Sequence, residues 1–561
     1  MSSVVLITFL PLLAALVVLV GTESSRNLRA KIAAFPFGAT FFGAVVILWL
    51  VATEGPIFIR FYDPASLATL AFPLGFYIDR LSAVMMVLIS GVGTVIFTYS
   101  IGHMYEDPHD RRFLSLIGFT TTVLLCMVSS VNLMMLFLAW QVISCLLYVL
   151  AHNHSHEGTR KGAVRTFTLL RVGDVAFLSG IVLTYQLYGT LEFQSLFAKA
   201  AESPIMLSPW PGAEISGTTV ITLLLFIGAM SKSAQFPLFI WLPGYLYAPT
   251  PATALLHAGI INAGGFLINR MAPLFGLSPT TLHVALVVGA LTAVLGATMM
   301  LVQNDIKNTL GFSTIGQMGY MIMECGLGAF SLAVFHLIAH GLFKATMFLN
   351  AGNVIHKARQ EPTIPHADPT EEQEFSRLTW FTGFTTTLLI PLLILLVTHG
   401  VLHIPLLESQ GTVIFLFFIW VTSSQAILTL IRLRAVASWK VSVAMLFILL
   451  FVVFNYLFAV ETFTAFLYPN PGEVAAYFQA AALPYWLFDG LIGGTALVII
   501  LGWFYIYARA HGQTMWVPSL AEGLRLRLYV LFMNRLYVDQ AYERLGRAIT
   551  HTVHSLDKSA K

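Results

Sequence analysis

Residues 225–243 read LFIGAMSKSAQFPLFIWLP: an apolar run that carries a single lysine, Lys232, and a proline, Pro237, five positions later. A proline inside a helix removes a backbone donor and crowds the preceding turn, so the sequence predicts a broken or kinked helix at Pro237. A lysine amid apolar residues is costly unless paired or hydrated, which makes Lys232 a functional candidate. A broken helix exposes backbone dipoles and admits water, so a lysine beside it can load and release a proton.

The same texture extends outward from this stretch. The chain has 561 residues, 57% hydrophobic and 10% charged, far below the roughly one quarter charged of soluble domains. A transmembrane helix needs about 20 mainly apolar residues. Spans are expected near 3–21, 30–53, 80–102, 112–130, 131–151, 163–187, 216–241, 248–271, 280–303, 308–327, 328–356, 379–400, 411–432, 439–459 and 487–508. The fold class is therefore an all-α polytopic membrane protein of about 13–15 transmembrane helices. The N-terminal MSSVVLITFLPLLAALVVLV has no basic residue ahead of its apolar run, so it is expected to be a retained first span rather than a cleaved signal.

Loop charges orient the spans. Arg26, Arg29, Lys31, Arg160, Lys161, Arg165, Arg432, Arg434 and Lys440 fall in segments that an odd number of spans places on one side. The positive-inside rule makes that side cytoplasmic, with the N-terminus outside and the C-terminus inside. The tail, 509–561, interleaves Arg525, Arg527, Arg535, Arg544 and Arg547 with apolar residues, as an interfacial helix or a docking arm does. A net charge of +3 gives no reason to expect a nucleic-acid partner; the bilayer is the expected surroundings. Cys126, Cys145 and Cys325 lie in apolar runs without metal-ligand spacing, so they are expected to be buried free thiols.

His336, His340 and Lys344 follow one another at intervals of four in FHLIAHGLFKATMFL. That spacing sets them on one slowly drifting helix face over about 12 Å of rise. Such a stripe suits a hydrated proton relay, although packing hydrogen bonds between helices would produce the same pattern. His257, in PTPATALLHA, stands where it could bridge Lys232 and the His336 face. Arg171 and Asp174 are three apart and can pair. The run HNHSHE, with His152, His154 and His156, reads as a solvated loop or partner contact rather than a metal site. No metal site, cofactor-binding loop or catalytic constellation is expected, so the chain reads as a transport subunit, not an enzyme.

YIDRLSAVMM, the RRF at 111–113, RVGDV, SKSAQFPLFIWLP, PTPATALLHA, NDIKNTLGFSTIGQMGYM and HLIAHGLFKATMFLNAG occur in order across roughly 70–360. Together they resemble the antiporter-like, proton-translocating subunits of complex I (subunit L, or subunit 5) and of Mrp antiporters. The resemblance implies two inverted five-helix repeats, each with a broken helix. It implies that Lys232, His257, His336, His340 and Lys344 form the ion path, with Arg171 and Asp174 as the adjoining pair. On that basis the chain divides into N-terminal transmembrane helices (1–110), an antiporter-like core (111–435), C-terminal transmembrane helices (436–508) and a basic cytoplasmic amphipathic tail (509–561).

Three features depart from the respiratory pattern. Gln141, in LFLAWQVISCLLYVL, stands where the family has the carboxylate partner of the channel lysine. The expected second broken helix, 379–400, has Pro391 but no lysine. The tail reads NRLYVDQAYERLGRAITHTVHSLDKSAK where a respiratory subunit continues into a long lateral helix. These departures, together with HAGIINAGGFLINR at 257–270, are similar to the membrane subunits of bacterial DAB inorganic-carbon accumulation complexes, the DabB family. That resemblance implies a bacterial inner-membrane location. It also implies a large soluble partner with a carbonic-anhydrase-like zinc site, DabA-like, on the cytoplasmic side. In that reading, ion flow drives CO2 hydration to bicarbonate on the partner. The alternative is a subunit of NADH–quinone oxidoreductase or of an Mrp antiporter.

Overall fold

The computed structural model describes residues 2–20, 26–62, 72–105, 107–151, 157–210, 212–245, 248–360, 457–491 and 519–544, with scattered positions at 447–454 and 493–497. Helices dominate. In chain order they begin with α1 (Ser2–Val20) and α2 (Arg26–Glu54), then the hairpin β1 (Ile57–Tyr62) and β2 (Leu74–Ile78). There follow α3 (Arg80–His103), α4 (Asp110–Val128), α5 (Leu133–Ala151), α6 (Glu157–Tyr188) and α7 (Phe193–Glu202). A second hairpin, β3 (Met206–Trp210) and β4 (Ala213–Ser216), leads into α8 (Gly217–Lys232) and the short α9 (Trp241–Tyr245). Next come α10 (Thr250–Ala258), α11 (Ala263–Arg270), α12 (Ala272–Phe275), α13 (Pro279–Leu301), α14 (Ile306–Gly326) and α15 (Phe330–Gln360). Further on come a π-helical stretch at Leu457–Thr462, helices α16 (Phe463–Leu467), α17 (Pro471–Ala481) and α18 (Ser519–Met533), and a 3-10 turn at Arg535–Tyr537.

Among the described residues, nine helical stretches are long and apolar enough to cross a membrane. The expected spans up to residue 356 coincide with helix except at 216–241, helical only to Lys232 before a short helix at 241, and 248–271, which is interrupted, whereas 379–400 and 411–432, with Pro391, lie outside the described residues. Large apolar side chains such as Phe35, Trp49, Val287 and Val294 point outward, as lipid-facing positions do. Both hairpins are antiparallel, Ile57 pairing with Ile78 and Met206 with Ser216. Neither hairpin falls within an expected span.

The chain divides into two compact units, Met1–Gly326 with His336–Gln360 and Leu526–Lys561, and Leu327–Phe335 with Glu361–Arg525. In the first, α13 and α14 pack backbone to backbone. A Cβ added at Gly289, Gly296 or Gly319 would strike the facing main chain, so only glycine permits that approach. In the second, Phe330 sits edge-on to Tyr477 at 5.1 Å, and the Ser331 and Thr464 hydroxyls lie 2.8 Å apart.

Two interruptions shape the first unit. α8 stops at Lys232, earlier than Pro237, because the proline ring crowds the carbonyl four residues before it, that of Ser233. Ala234, at φ 49°, then turns the chain out of the helix. The carbonyls freed at the end of α8 are satisfied: Met230 O accepts from the Gln235 backbone at 2.9 Å, and Ser231 O from Trp241 Nε1 at 2.9 Å. Thr292 Oγ1 accepts from Phe236 N at 3.0 Å. The span expected as one helix at 248–271 also breaks, with a turn of 3-10 helix at Ile260–Asn262 between α10 and α11. The breaks meet, since Ser233 Oγ donates to Ile261 O at 2.6 Å.

At the end of α11, buried Arg270 donates to both Asp79 oxygens (2.6 and 3.0 Å) and to Ser82 Oγ at 2.5 Å. Asp79 also caps α3 through Ser82 N at 2.9 Å. Burial pushes the Asp79 carboxyl up, yet the Arg270 charge and the hydrogen bonds from Arg270 and Ser82 hold it below the usual carboxylate range. This clamp fixes the second half of the broken helix to the start of α3.

Candidate functional site

Lys232 is the last residue of α8 and is fully buried. The α5 positions Trp140 and Ser144 are four apart and so share a face. Lys232 Nζ donates to Ser144 Oγ at 2.6 Å and to Trp140 O at 3.2 Å, and lies 4.8 Å from the Trp140 ring centre. Trp140 in turn donates Nε1–H to Asp174 Oδ1 at 2.8 Å. A second nitrogen contact, Arg171 to Asp174 Oδ2 at 2.7 Å, is an ion pair by distance but lacks the angle of a hydrogen bond.

Gln141 does not replace a direct partner of Lys232 here. Its Oε1 accepts from Arg171 at 2.5 Å, while its Nε2 is buried without a partner. The Lys232 amine is thus joined to the Arg171–Asp174 pair through the Trp140 indole.

The second cluster runs along α15. Lys344 Nζ donates to Ser313 Oγ of α14 at 2.8 Å and lies 3.4 Å from Leu310 O. His340, one turn earlier, is buried, and among the described residues neither ring nitrogen has a partner. The His336 ring lies 6.4 Å from that of His340. His257 is fully buried and stacks on Phe348, one turn past Lys344, at 4.3 Å, and neither of its ring nitrogens has a partner among the described residues. The structure therefore brings His257 to the α15 stripe rather than into hydrogen-bond contact with Lys232. Buried polar atoms without protein partners are the places where ordered water is needed.

His152, His154 and His156 lie outside the described residues. Cys126 is partly and Cys325 fully buried, but Cys145 is exposed on α5, contrary to the expected burial of all three thiols. One helix position cannot be assigned to lipid or interior from apolar neighbours alone. The tail also differs from a free arm: Asp539 pairs with Arg165 of α6 and lies 3.3 Å from Arg535, whose guanidinium sits 5.7 Å from the Phe312 ring.

Several residues escaped the sequence reading. Ser144 and Ser313 carry no charge and gave no signal beyond lying near a lysine. Arg270 and Asp79 sit at span ends, where ionisable groups are commonplace. Glu324 was within reach, because it is an ionisable residue inside the apolar run MIMECGLG.

Comparison with known proteins adds the following. The model of the NADH:quinone oxidoreductase/Mrp antiporter transmembrane region matches residues 130–398, and that of the complex I chain 5 N-terminus matches 65–114. The chain is 41% identical over 480 residues to the probable inorganic carbon transporter subunit DabB1 of Halothiobacillus neapolitanus, covering 84% of each. It is 37% identical over 328 residues to NADH-quinone oxidoreductase subunit L of Neisseria meningitidis, covering 57% of this chain and 48% of that one. In structure it is similar to a chain of the Mrp complex from Dietzia sp., with a TM-score of 0.60 at 19% identity over 99% of this chain and 59% of that one. A chain of respiratory complex I from Thermus thermophilus gives a TM-score of 0.57 at 19% identity, covering 86% of this chain and all of that one (100%).

Proposed function

The chain belongs to the family of antiporter-like, cation-translocating membrane subunits shared by complex I and Mrp antiporters, and we propose that its ion flow drives inorganic-carbon accumulation. The path is carried by Lys232 on one side and by His257, His336, His340 and Lys344 on the other. Arg171, Asp174 and Gln141 tune the first lysine. The ion is a proton, since amines and imidazoles exchange protons whereas sodium requires a cage of oxygen ligands.

The observation that carries the proton path is the cradle of Lys232. Removing an ion from water costs several kcal/mol even after relaxation. Each hydrogen bond to a charged group returns about 1.5–3 kcal/mol. Two such bonds, to Ser144 and Trp140, offset part of that cost, so the buried amine can carry a proton there and a change in the charges nearby alters how firmly it is held. The Arg171–Asp174 pair, reached through Trp140, is placed to supply that change.

The carbon role is supported by the match to the DabB1 protein along 84% of both chains, against 48% of the length of the respiratory subunit L. In this reading the chain lies in a bacterial inner membrane, N-terminus outside, and works with a large soluble zinc-binding, carbonic-anhydrase-like subunit on the cytoplasmic face. The zinc chemistry belongs to that partner; this chain supplies the proton path. The test is growth of a carbonic-anhydrase-deficient bacterium expressing this chain and its neighbouring soluble gene product. Growth in ordinary air is expected, together with co-purification of a zinc-containing partner. Growth only under added CO2, despite assembly, would remove the carbon role.

A further inference from the structure

One buried carboxylate has no place in the path described so far. Glu324 lies in the last turns of α14, and its Oε2 is 3.0 Å from His336 Nδ1. The other ring nitrogen, Nε2, is 2.9 Å from Gln317 Oε1, seven residues earlier on the same face of α14. With the Gln317 amide in this orientation, the imidazole is bracketed by two oxygen acceptors. A neutral ring carries one N–H and can satisfy only one of them, whereas a doubly protonated ring donates to both. A buried carboxylate alone costs several kcal/mol, and an imidazolium against it offsets that cost. Among the described residues, the other titratable or charged groups around this pair are Tyr320 and Cys325 on α14, His340 and Lys344 on α15, and His257 on α10.

Resting on the proton-path reading above, we propose that Glu324 is a working member of the path: it holds His336 as the imidazolium, and the pair stores the proton that is next passed along α15. In the step, an N–H bond of His336 breaks and one forms on His340, directly or through one water. His336 becomes neutral, His340 becomes the imidazolium, and Glu324 stays a carboxylate throughout. The next proton to arrive restores the His336 imidazolium. His340 suits the acceptor role because neither of its nitrogens has a partner among the described residues and its ring lies 6.4 Å away between centres.

Two measurements test this on the full chain in its purified complex. Imidazole 15N shifts, with His336 assigned by loss of its signals in His336→Gln, should show both nitrogens protonated at about neutral pH. A singly protonated His336 overturns the proposal. In proteoliposomes, Glu324→Gln should lose proton flux at a pH about one unit or more below wild type, the displacement expected when a neighbouring charge is removed. Glu324→Asp, which restores the charge, should recover most of that displacement. A wild-type profile in Glu324→Gln overturns the proposal if Lys344→Ala, measured alongside, abolishes flux. If Lys344→Ala also transports normally, the path reading falls, and the stored proton with it.

Discussion

Lys232 and Lys344 sit in nearly the same cradle but keep different company. Each donates to a serine hydroxyl and approaches a backbone carbonyl on a neighbouring helix: Ser144 and Trp140 for the first, Ser313 and Leu310 for the second. Around Lys232 the nearby charges are tied down, Asp174 by Trp140 and Arg171, and Arg171 by Gln141. Around Lys344 the neighbours His340 and His257 have no partner on any ring nitrogen among the described residues. A fixed charge pair beside an amine tunes when it holds a proton. A row of unpartnered imidazoles passes a proton onward. The difference teaches that one cradle serves two tasks, and that the surroundings decide which.

The largest effect is expected from a change that removes the frame both sites share. Arg270→Ala leaves the partly buried Asp79 without its cation, and breaking a buried pair costs up to about 3–5 kcal/mol. Thermal unfolding in detergent should show that loss together with loss of flux. Normal stability would mean that the clamp does not hold the broken helix in place. The clamp also has a pH sign. A depressed carboxylate contributes stability above the ordinary range near about pH 4, and loses it as the pH falls through its lower folded value.

Next come the cradles themselves. Ser144→Ala and Ser313→Ala each delete one hydrogen bond to a lysine, worth about 1.5–3 kcal/mol, or roughly tenfold to a hundredfold in the population of the charged form. Both should slow flux by a similar factor if the cradles are equivalent. A defect in one and none in the other would break the parallel.

The smallest effect sharpens the contrast. A carboxylate introduced by Gln141→Glu would face Arg171 and compete with Asp174 for it. Asp174 is then freer to attract Lys232, so the pH profile of flux should move alkaline by about one unit. An unmoved profile would show that the Arg171–Asp174 pair does not communicate with the lysine.

Much of this was legible in the sequence, and the exceptions have physical reasons. Apolar runs of helical length located α1 to α6 and α13 within a few residues, because lipid demands continuous apolar helix. The stripe His336, His340 and Lys344 was visible because spacings of four share a face. The ends of the broken helices were less visible. Pro237 announced the first, but its steric reach set the end five residues earlier, at Lys232. Nothing so overt marks the second, where Gly259 precedes the 3-10 turn. The pairing of Gln141 with Arg171 instead of Lys232 depends on how α5 and α6 face one another, which no single-helix pattern encodes.

Proton flux into proteoliposomes containing the intact complex, compared between wild type and Lys232→Ala at equal assembly, tests the central claim most directly. The account predicts that flux falls by at least about tenfold, the loss of a single essential proton-transfer group, while the helix still inserts and the complex still forms. Lys232→Arg should also fail, since a guanidinium keeps the charge but does not release its proton. Wild-type flux in Lys232→Ala would contradict the account, for the chain would then move its ion without the buried amine at the break in α8.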